Sequence, residues 1–551
     1  MSDGEGAPPL LPGEGGGSAG ATAAAASSRL TPLALAALTM VCVILSIGPW
    51  PVGVFQDDGI YMVLAKSLAT GEGYRFLQMP GVPNATHYPP LYPAFLALLW
   101  KLWPQFPQNV VLFKFANAAL LSLAAVGTFR FSREFGGLSE RAAVLMTVAF
   151  VCCAPLMLLS VMVLSEPMFL VFLIPTIAAS ERALRSGRPR DAVMAGAAAG
   201  ILSLVRSLGL LVAPATILVL LWRRRWSAAV CLGVATAVVI APWQFWVAHH
   251  AHEVPAIFVG KYGSYFGWWT QAIQSEGLGW VVRVAGHNLR MMTEQGWGST
   301  STEMLPLPVR LAATLAASSF FLGGLLRLSR RLPATGLFIA MYFAMVVVWP
   351  FAPARFTWGI WPLVGLCFAN AVRWVADLAP RRQAGTDPVP AGRRRLAVLG
   401  QRALLATASL LLFGYISYNV KGVTRGWWTQ LQQGVADRAY PMAQWVQANT
   451  KPTDVLATDD DLLIYLYTGR QTIPTGPFTA QEHLLPQTPA FAAASLREIL
   501  RIYRVNYVMA STRYGTYAAN GLVVGRQPEI RVVAVVKTGA IYTPTLRRAG
   551  S

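Results

Sequence analysis

Two carboxylates stand side by side just past the first apolar run of this chain. Asp57 and Asp58 follow the stretch Pro32–Val52. An acidic side chain near hydrocarbon is costly, roughly 2.5–3.5 kcal/mol at the centre of a spanning helix. Adjacent carboxylates at the lip of a helix bundle can hold a divalent metal ion or take a proton from a substrate. They can equally cap the helix that follows them. Tyr61, Leu64, Ala65 and Leu68 recur behind them at helical spacing, which predicts a helix lying along the membrane interface. Further on, His87-Tyr88-Pro89-Pro90 interrupts any helix, and an aromatic-rich amphipathic helix follows. His87 would sit beside the acids if this loop folds back; otherwise it is a surface histidine. Asn84-Ala-Thr86 is a glycosylation sequon, of consequence only in a eukaryotic secretory membrane.

Other charges are sparse, which makes each one informative. Glu166 opens an apolar run, where it could bind substrate or cap the helix N-terminus. Arg206 and Arg355 stand between apolar runs. A guanidinium there can hold a phosphate through charge-assisted hydrogen bonds, or it can snorkel to the interface. Lys261, Tyr262 and Tyr265 lie in a Gly- and Trp-rich stretch and could line a site or pack as a cover. Asp459-Asp460-Asp461 could suggest a metal, but a strand end followed by a helix cap explains it better.

These residues must be positioned by a membrane bundle. The chain has 551 residues, of which 54% are apolar and 13% charged, about half the ordinary charged share. Mean hydropathy is +0.46. A soluble enzyme, a disordered chain and a fibrous repeat are excluded. Apolar runs predict spans at Pro32–Val52, Val110–Phe131, Ala142–Met162, Pro167–Arg182, Ala192–Val205, Leu208–Trp222, Ser227–Val247, Val309–Leu326, Ala334–Trp349, Phe356–Trp374 and Leu404–Ile416, eleven in all. The net charge of +20 would suit nucleic acid, but the arginines are placed otherwise. They cluster in alternate short loops: Arg130, Arg133, Arg141; Arg182, Arg185, Arg188, Arg190; Arg223–Arg225; Arg327, Arg330, Arg331; and Arg373 to Arg402. The positive-inside rule then places the N-terminus and these loops in the cytoplasm, and the C-terminus outside. All five cysteines fall in predicted spans with no metal spacing, so disulfides and thiol chemistry are not expected.

The chain thus divides into a Gly-, Ala-, Ser- and Pro-rich disordered cytoplasmic tail, 1–30; a transmembrane domain, 31–417, with large outside loops at 53–109 and 249–307; and a globular domain, 418–551. In the last, PMAQWVQANT reads as a helix, DVLATD as a strand, DLLIYLYTG as a helix stopped by glycine, SLREILRIYRVNYVMAS as helix then strand, and RVVAVV as a strand. The alternation predicts a small α/β domain with some parallel pairing.

Asp57-Asp58-x-x-Tyr61 followed by His87-Tyr88-Pro89-Pro90-Leu91 resembles the first loop of the GT-C membrane glycosyltransferases. The similarity is to the bacterial branch that includes protein O-mannosyltransferases, lipid A aminoarabinose transferases and RgtA-like enzymes. Leu164-Ser165-Glu166-Pro167, Leu204-Val205-Arg206-Ser207 and Arg355 before Trp361-Pro362-Leu363 are similar to further pieces of that family, and the resemblance covers most of residues 32–510. Two departures are Asp57-Asp58 where the family commonly has Asp-Glu, and His87-Tyr88 where it often has Lys or Glu. The resemblance implies an α-helical polytopic protein of the bacterial inner membrane, with about eleven transmembrane helices and a small extracytoplasmic α/β domain. It implies transfer of a sugar, with inversion, from a polyprenyl-phosphate donor to a glycolipid, polysaccharide or protein acceptor. Asp57 and Asp58 would be catalytic or hold a metal. Tyr61, His87, Tyr88, Glu166, Arg206, Lys261, Tyr262 and Arg355 would bind substrate. Two other classes fit a polytopic chain, a transporter and a noncatalytic envelope-assembly scaffold. The sequence shows no inverted repeat, and a transporter needs no outside α/β domain.

Overall fold

The computed structural model describes residues 17–294, 306–378, 391–524 and 528–545. Residues 1–16 of the expected tail, part of the second loop, and Arg381 and Arg382 lie outside these. Residues 17–30 of that tail are already helical, as the start of the helix Gly17–Ser46. Its alanine-rich sequence explains this, since alanine has the highest helix propensity.

Each of the eleven predicted spans is helical, but they are not equal. Five helices are long and apolar enough to cross a bilayer: Val110–Glu134, Glu166–Ser186, Trp226–His250, Leu307–Arg331 and Arg395–Thr424. Two more spans are bent pairs, Glu140–Val151 with Ala154–Val161 at 53° and Pro353–Gly359 with Trp361–Asp377 at 77°, so the count by length and composition reaches up to seven. The remaining four predicted spans fall on shorter helices. Leu30–Ser46, Ser207–Trp222 and Pro333–Val348 are apolar but short. Pro189–Val205 ends at Arg206, whose backbone is extended (φ −148°, ψ 130°) and breaks the pair. Helix starts follow local chemistry. Proline occupies the first turn at Pro167, Pro189, Pro333, Pro353 and Pro362, where its missing N–H costs nothing.

The helix Asp57–Thr70 forms where the spacing predicts it, but it does not lie open along an interface. Ile60, Met62 and Val63 are as buried as Tyr61, Leu64 and Ala65. The C-terminal domain covers it: a Cβ added to Gly59 would come 2.7 Å from Leu462 Cβ, so only glycine allows this approach.

That domain is an α/β unit. Strands β1 (Val455–Thr458), β2 (Gln471–Ile473), β3 (Tyr507–Ala510), β4 (Ile530–Val536) and β5 (Gly539–Pro544) form one sheet in the order β2-β1-β3-β5-β4. β1 pairs in parallel with β2 and β3, and β5 pairs antiparallel with β3 and β4. The predicted helices and strands are all present, with β2 and β5 in addition. The first loop reaches the β2 edge, where Thr472 N donates to Gln78 O at 2.7 Å. The helix entering the domain, Trp427–Asn449, follows the helix Ala391–Thr424, which runs through position 418 without a break.

Candidate active site

Three separate stretches bring charge to one end of the bundle. Asp57 comes from the first turn of Asp57–Thr70, Glu166 from the first turn of Glu166–Ser186, and Arg355 from the short helix Pro353–Gly359. Both acidic residues follow strained backbone. Gln56 has φ 58° and Val163 has φ 57°, a region that residues other than glycine rarely enter, β-branched valine least of all.

Arg355 ties the acids together. Its Nη1 donates to Asp57 Oδ2 at 2.6 Å and its Nε to Glu166 Oε1 at 3.0 Å. Arg206 Nη1 donates to the same Glu166 oxygen at 2.7 Å and to Ser165 Oγ at 3.0 Å. Tyr88 donates its hydroxyl to Asp57 Oδ1 at 2.5 Å, and Tyr61 shares a hydrogen bond with Ser165 Oγ at 2.9 Å. The Arg355 guanidinium lies 4.8 Å from the Phe55 ring. Among the described residues two polar atoms here have no partner, Arg355 Nη2 and Glu166 Oε2, both buried. Buried unpaired groups are expensive, and an N–H left free on a guanidinium suits an incoming anion.

Beside this cluster opens a cavity of about 980 Å³. Asp57, Tyr61, His87, Tyr88, Arg206, Lys261 and Arg355 line it, so seven of the ten residues expected from the sequence face one space. Its apolar wall comes from Leu208, Leu211, Ile273, Met345, Trp349 and Phe356, and its roof from Asp459, Asp460 and Asp461 of the C-terminal domain.

The other three expected residues stand back from the cavity. Glu166 is fully buried behind the arginines it pairs with. Tyr262 donates its hydroxyl to Asp461 and joins the second loop to the C-terminal domain. Asp58 corrects the expectation of a paired catalytic or metal-binding site. Its Oδ2 accepts from Gly53 N at 2.7 Å and Val54 N at 3.1 Å, and its Oδ1 from Phe55 N at 2.8 Å and Gly59 N at 2.9 Å. A carboxylate filled by four amides closes a turn and has nothing to offer an ion. Asp57's oxygens are also engaged, by Arg355 and Tyr88. No group of three His, Cys, Asp or Glu side chains among the described residues could hold a metal. The donor set at Asp57 and Asp58 therefore does not fit a metal centre.

The electrostatics separate the two acids. Burial pushes Asp57 up, but Arg355 and the Tyr88 hydroxyl, with Arg206 behind, bring it below the ordinary value. Burial raises Asp58 to about 6 despite its four amides. Burial also lowers His87 to about 4, although its Nδ1 meets Gly263 O. His87 is therefore neutral near pH 7.

In the roof, Asp460 pairs with Arg438 at 2.6 Å, and Asp459 accepts from Ser511 N at 3.0 Å and Thr512 N at 2.8 Å. They follow the end of β1, as expected, but Asp460 stands at the N-cap of Asp461–Thr468 without a side-chain capping bond. Sequence reasoning missed Ser165 and the aromatic wall of Trp269, Trp349 and Phe356, which carry no spacing signal. It also passed over Lys114 and Asn117, polar residues within an apolar run that could have been found as such.

No family model and no curated protein matches this chain. Solved structures do. The structure of ArnT from Cupriavidus metallidurans bound to undecaprenyl phosphate aligns over 93% of this chain and 97% of its own, with a TM-score of 0.55 at 14% identity. The apo structure of that protein aligns over 94% and 98%, with a TM-score of 0.49 at 14% identity. At this identity the match shows the fold alone, and that is the GT-C fold expected from the chain's motifs.

Proposed function

We propose that this protein is a membrane glycosyltransferase that moves a sugar from a polyprenyl-phosphate donor to an acceptor outside the cytoplasm. The observation that carries the reading is the Asp57–Arg355–Glu166–Arg206 chain, with a free guanidinium N–H, at the edge of a cavity with one apolar wall. An amphiphilic donor needs both halves of that cavity, an apolar surface for its tail and cations for its phosphate. The ArnT structure holding undecaprenyl phosphate supports a lipid phosphate of this kind.

The chemistry follows from the contacts. The donor phosphate binds Arg355 and Arg206. Arg355 can reach it through Nη2 while Nη1 still holds Asp57. The arriving negative charge draws on the same guanidinium, weakens the hold on Asp57 and raises its basicity. The acceptor hydroxyl then attacks the anomeric carbon, and its proton passes to Asp57. The bond from that carbon to the phosphate oxygen breaks, its electron pair leaves with the phosphate, and the two arginines stabilise the charge that develops. Attack opposite the leaving group inverts the centre. Tyr88 keeps Asp57 oriented, and neutral His87 offers a hydrogen-bonding partner at the cavity wall. An acceptor that already carries an anionic oxygen would need no base, and Asp57 would then act by orienting Arg355.

This reading places the cavity and the C-terminal domain on the outer face of a bacterial inner membrane and the arginine-rich ends in the cytoplasm, with eleven crossings. Of the roof acids, Asp460 is ion-paired with Arg438, while Asp459 and Asp461 are held by neutral donors. A reporter fused after Thr429 tests the orientation and should report the outside; a cytoplasmic signal contradicts it. Mass spectrometry of envelope glycolipids, polysaccharides and glycoproteins with and without this protein tests the reaction. Loss of one sugar from one acceptor class identifies both substrates, and an unchanged envelope contradicts the proposal.

A further inference from the structure

We infer that Lys114 and Asn117, on one face of the helix Val110–Glu134, set the separation of the two backbone bends that carry Asp57 and Glu166, and so hold the acids at the span Arg355 bridges. The inference rests on the glycosyltransferase reading for its effect on rate, but not for its effect on the bends.

Lys114 is 1% exposed and Asn117 is 0% exposed. Polar side chains buried in an apolar helix are costly unless fully bonded. Lys114 Nζ donates to Gly48 O at 3.0 Å and Trp50 O at 2.8 Å. Those carbonyls lie past the end of the helix Gly17–Ser46, on the segment that enters the turn closed by Asp58. Asn117 Nδ2 donates to Ser160 O at 3.2 Å and Leu164 O at 3.0 Å, and its Oδ1 accepts from Tyr92 at 3.0 Å. Those carbonyls flank Val163, whose positive φ makes the bend before Glu166. Such strain persists only where the surroundings over-determine it.

Residues three apart share a helix face. Two bends distant in sequence are therefore pinned within one turn of one rigid element. Gln432 Nε2, from the C-terminal domain's first helix, approaches the same pair, 3.5 Å from both Pro51 O and Val161 O. Lys114, Asn117 and Gln432 do not line the cavity, so they cannot touch a substrate there. They act through Asp57 and Glu166, as positioning residues.

The test uses the full-length protein in detergent or nanodiscs and reads backbone hydrogen exchange together with transfer. Lys114→Met should speed exchange over residues 53–59 and leave 163–169 unchanged. Asn117→Asp keeps the shape but cannot donate to the carbonyls, and should do the reverse. Thr236→Val removes a comparable buried hydroxyl elsewhere and should change neither stretch. Lys114→Arg restores donors and should recover most of the loss. Each disrupting variant should lower kcat by about 100-fold, the order expected for a misplacement near 1 Å, with KM little changed. Unchanged exchange at both bends in folded variants overturns the inference. So does faster exchange throughout the bundle, or misfolding of Lys114→Arg and Asn117→Asp, because either outcome makes the residues general stabilisers. If the parent protein transfers no sugar, the glycosyltransferase reading fails while the exchange result still decides the positioning role.

Discussion

The helix Glu166–Ser186 meets two arginines at each end, and the two pairs behave differently. At its C-terminus, Arg223 Nη1 and Arg225 Nη1 donate to Leu184 O at 3.2 and 2.7 Å. The last carbonyls of a helix are unpaired and carry its negative end. Cations there are in their natural place, and these arginines are helix caps. At the N-terminus the dipole is positive, yet Arg206 and Arg355 crowd it. Only Glu166 and Asp57 make that tolerable, and one guanidinium nitrogen remains unpaired. The same residue type is thus satisfied at one end and held in readiness at the other. At one end the arginines end on backbone carbonyls; at the other they end on carboxylates, and Arg355 keeps a donor without a partner among the described residues.

The comparison can be broken most forcefully at Arg355. Arg355→Ala leaves Asp57 without its guanidinium and Glu166 with Arg206 alone, which costs stability up to about 3–5 kcal/mol. It should also lower transfer by roughly 10²–10³-fold, as loss of one charge-stabilising donor does. Thermal unfolding and polyprenyl-phosphate titration read the two effects. Unchanged affinity for the lipid phosphate would reduce Arg355 to an anchor. Arg355→Lys keeps the charge but loses the planar fork. It should weaken lipid-phosphate affinity about tenfold, the equivalent of one charged hydrogen bond.

A pH profile sharpens the comparison within the acid pair. Asp58, raised to about 6, takes up a proton as pH falls through that value and loosens its hold on four amides. Asp57, held below its ordinary value, stays ionised there. Transfer should therefore decline below about pH 6 because of Asp58. Stability runs the other way. A raised folded-state value means stability is lost as pH rises through the window from 3.8 to about 6. Asp58→Asn should remove the acid limb from the residual activity and flatten stability between pH 4 and 6. A limb that survives in this variant belongs to another group. The smallest effect is expected at the opposite end of the helix. Arg225→Gln should cost about 0.3–1 kcal/mol of stability and leave transfer rates unchanged; a large loss of transfer would erase the contrast between the two ends.

Much of the site was legible because charge is rare in this chain. Asp57, Glu166, Arg206 and Arg355 stood out against apolar runs, and the structure brings them together across 298 residues of sequence. Asp58 was misread because its role depends on the turn of Gly53 to Phe55, whose amides a sequence does not display. For Tyr262 the sequence offered both a site-lining and a cover-packing role, and its bond to Asp461, 199 residues away, agrees with packing. Hydropathy located each of the seven candidate spans and four shorter helices, but not the bends at Cys152 and Ile360, since it averages over a window and does not see a break. Gly359 and Pro362 flank Ile360 (φ −120°, ψ 19°), a local break signal that a window average passes over. Strand β2 was missed because it has only three residues, and β5, Gly539–Pro544, because its glycine and proline ends read as turn.

The central claim is that Asp57, oriented by Arg355 and Tyr88, drives transfer from a lipid-linked donor. Asp57→Asn is nearly isosteric, so expression, folding and donor binding should persist. The direct measurement is the amount of transferred sugar, by envelope mass spectrometry, in cells whose only copy is Asp57→Asn at parental expression. The account predicts a fall in transfer rate of roughly 10²–10⁴-fold, the contribution of a positioned base, and an acceptor left without its sugar. An acceptor fully modified at the parental rate in that strain would contradict it.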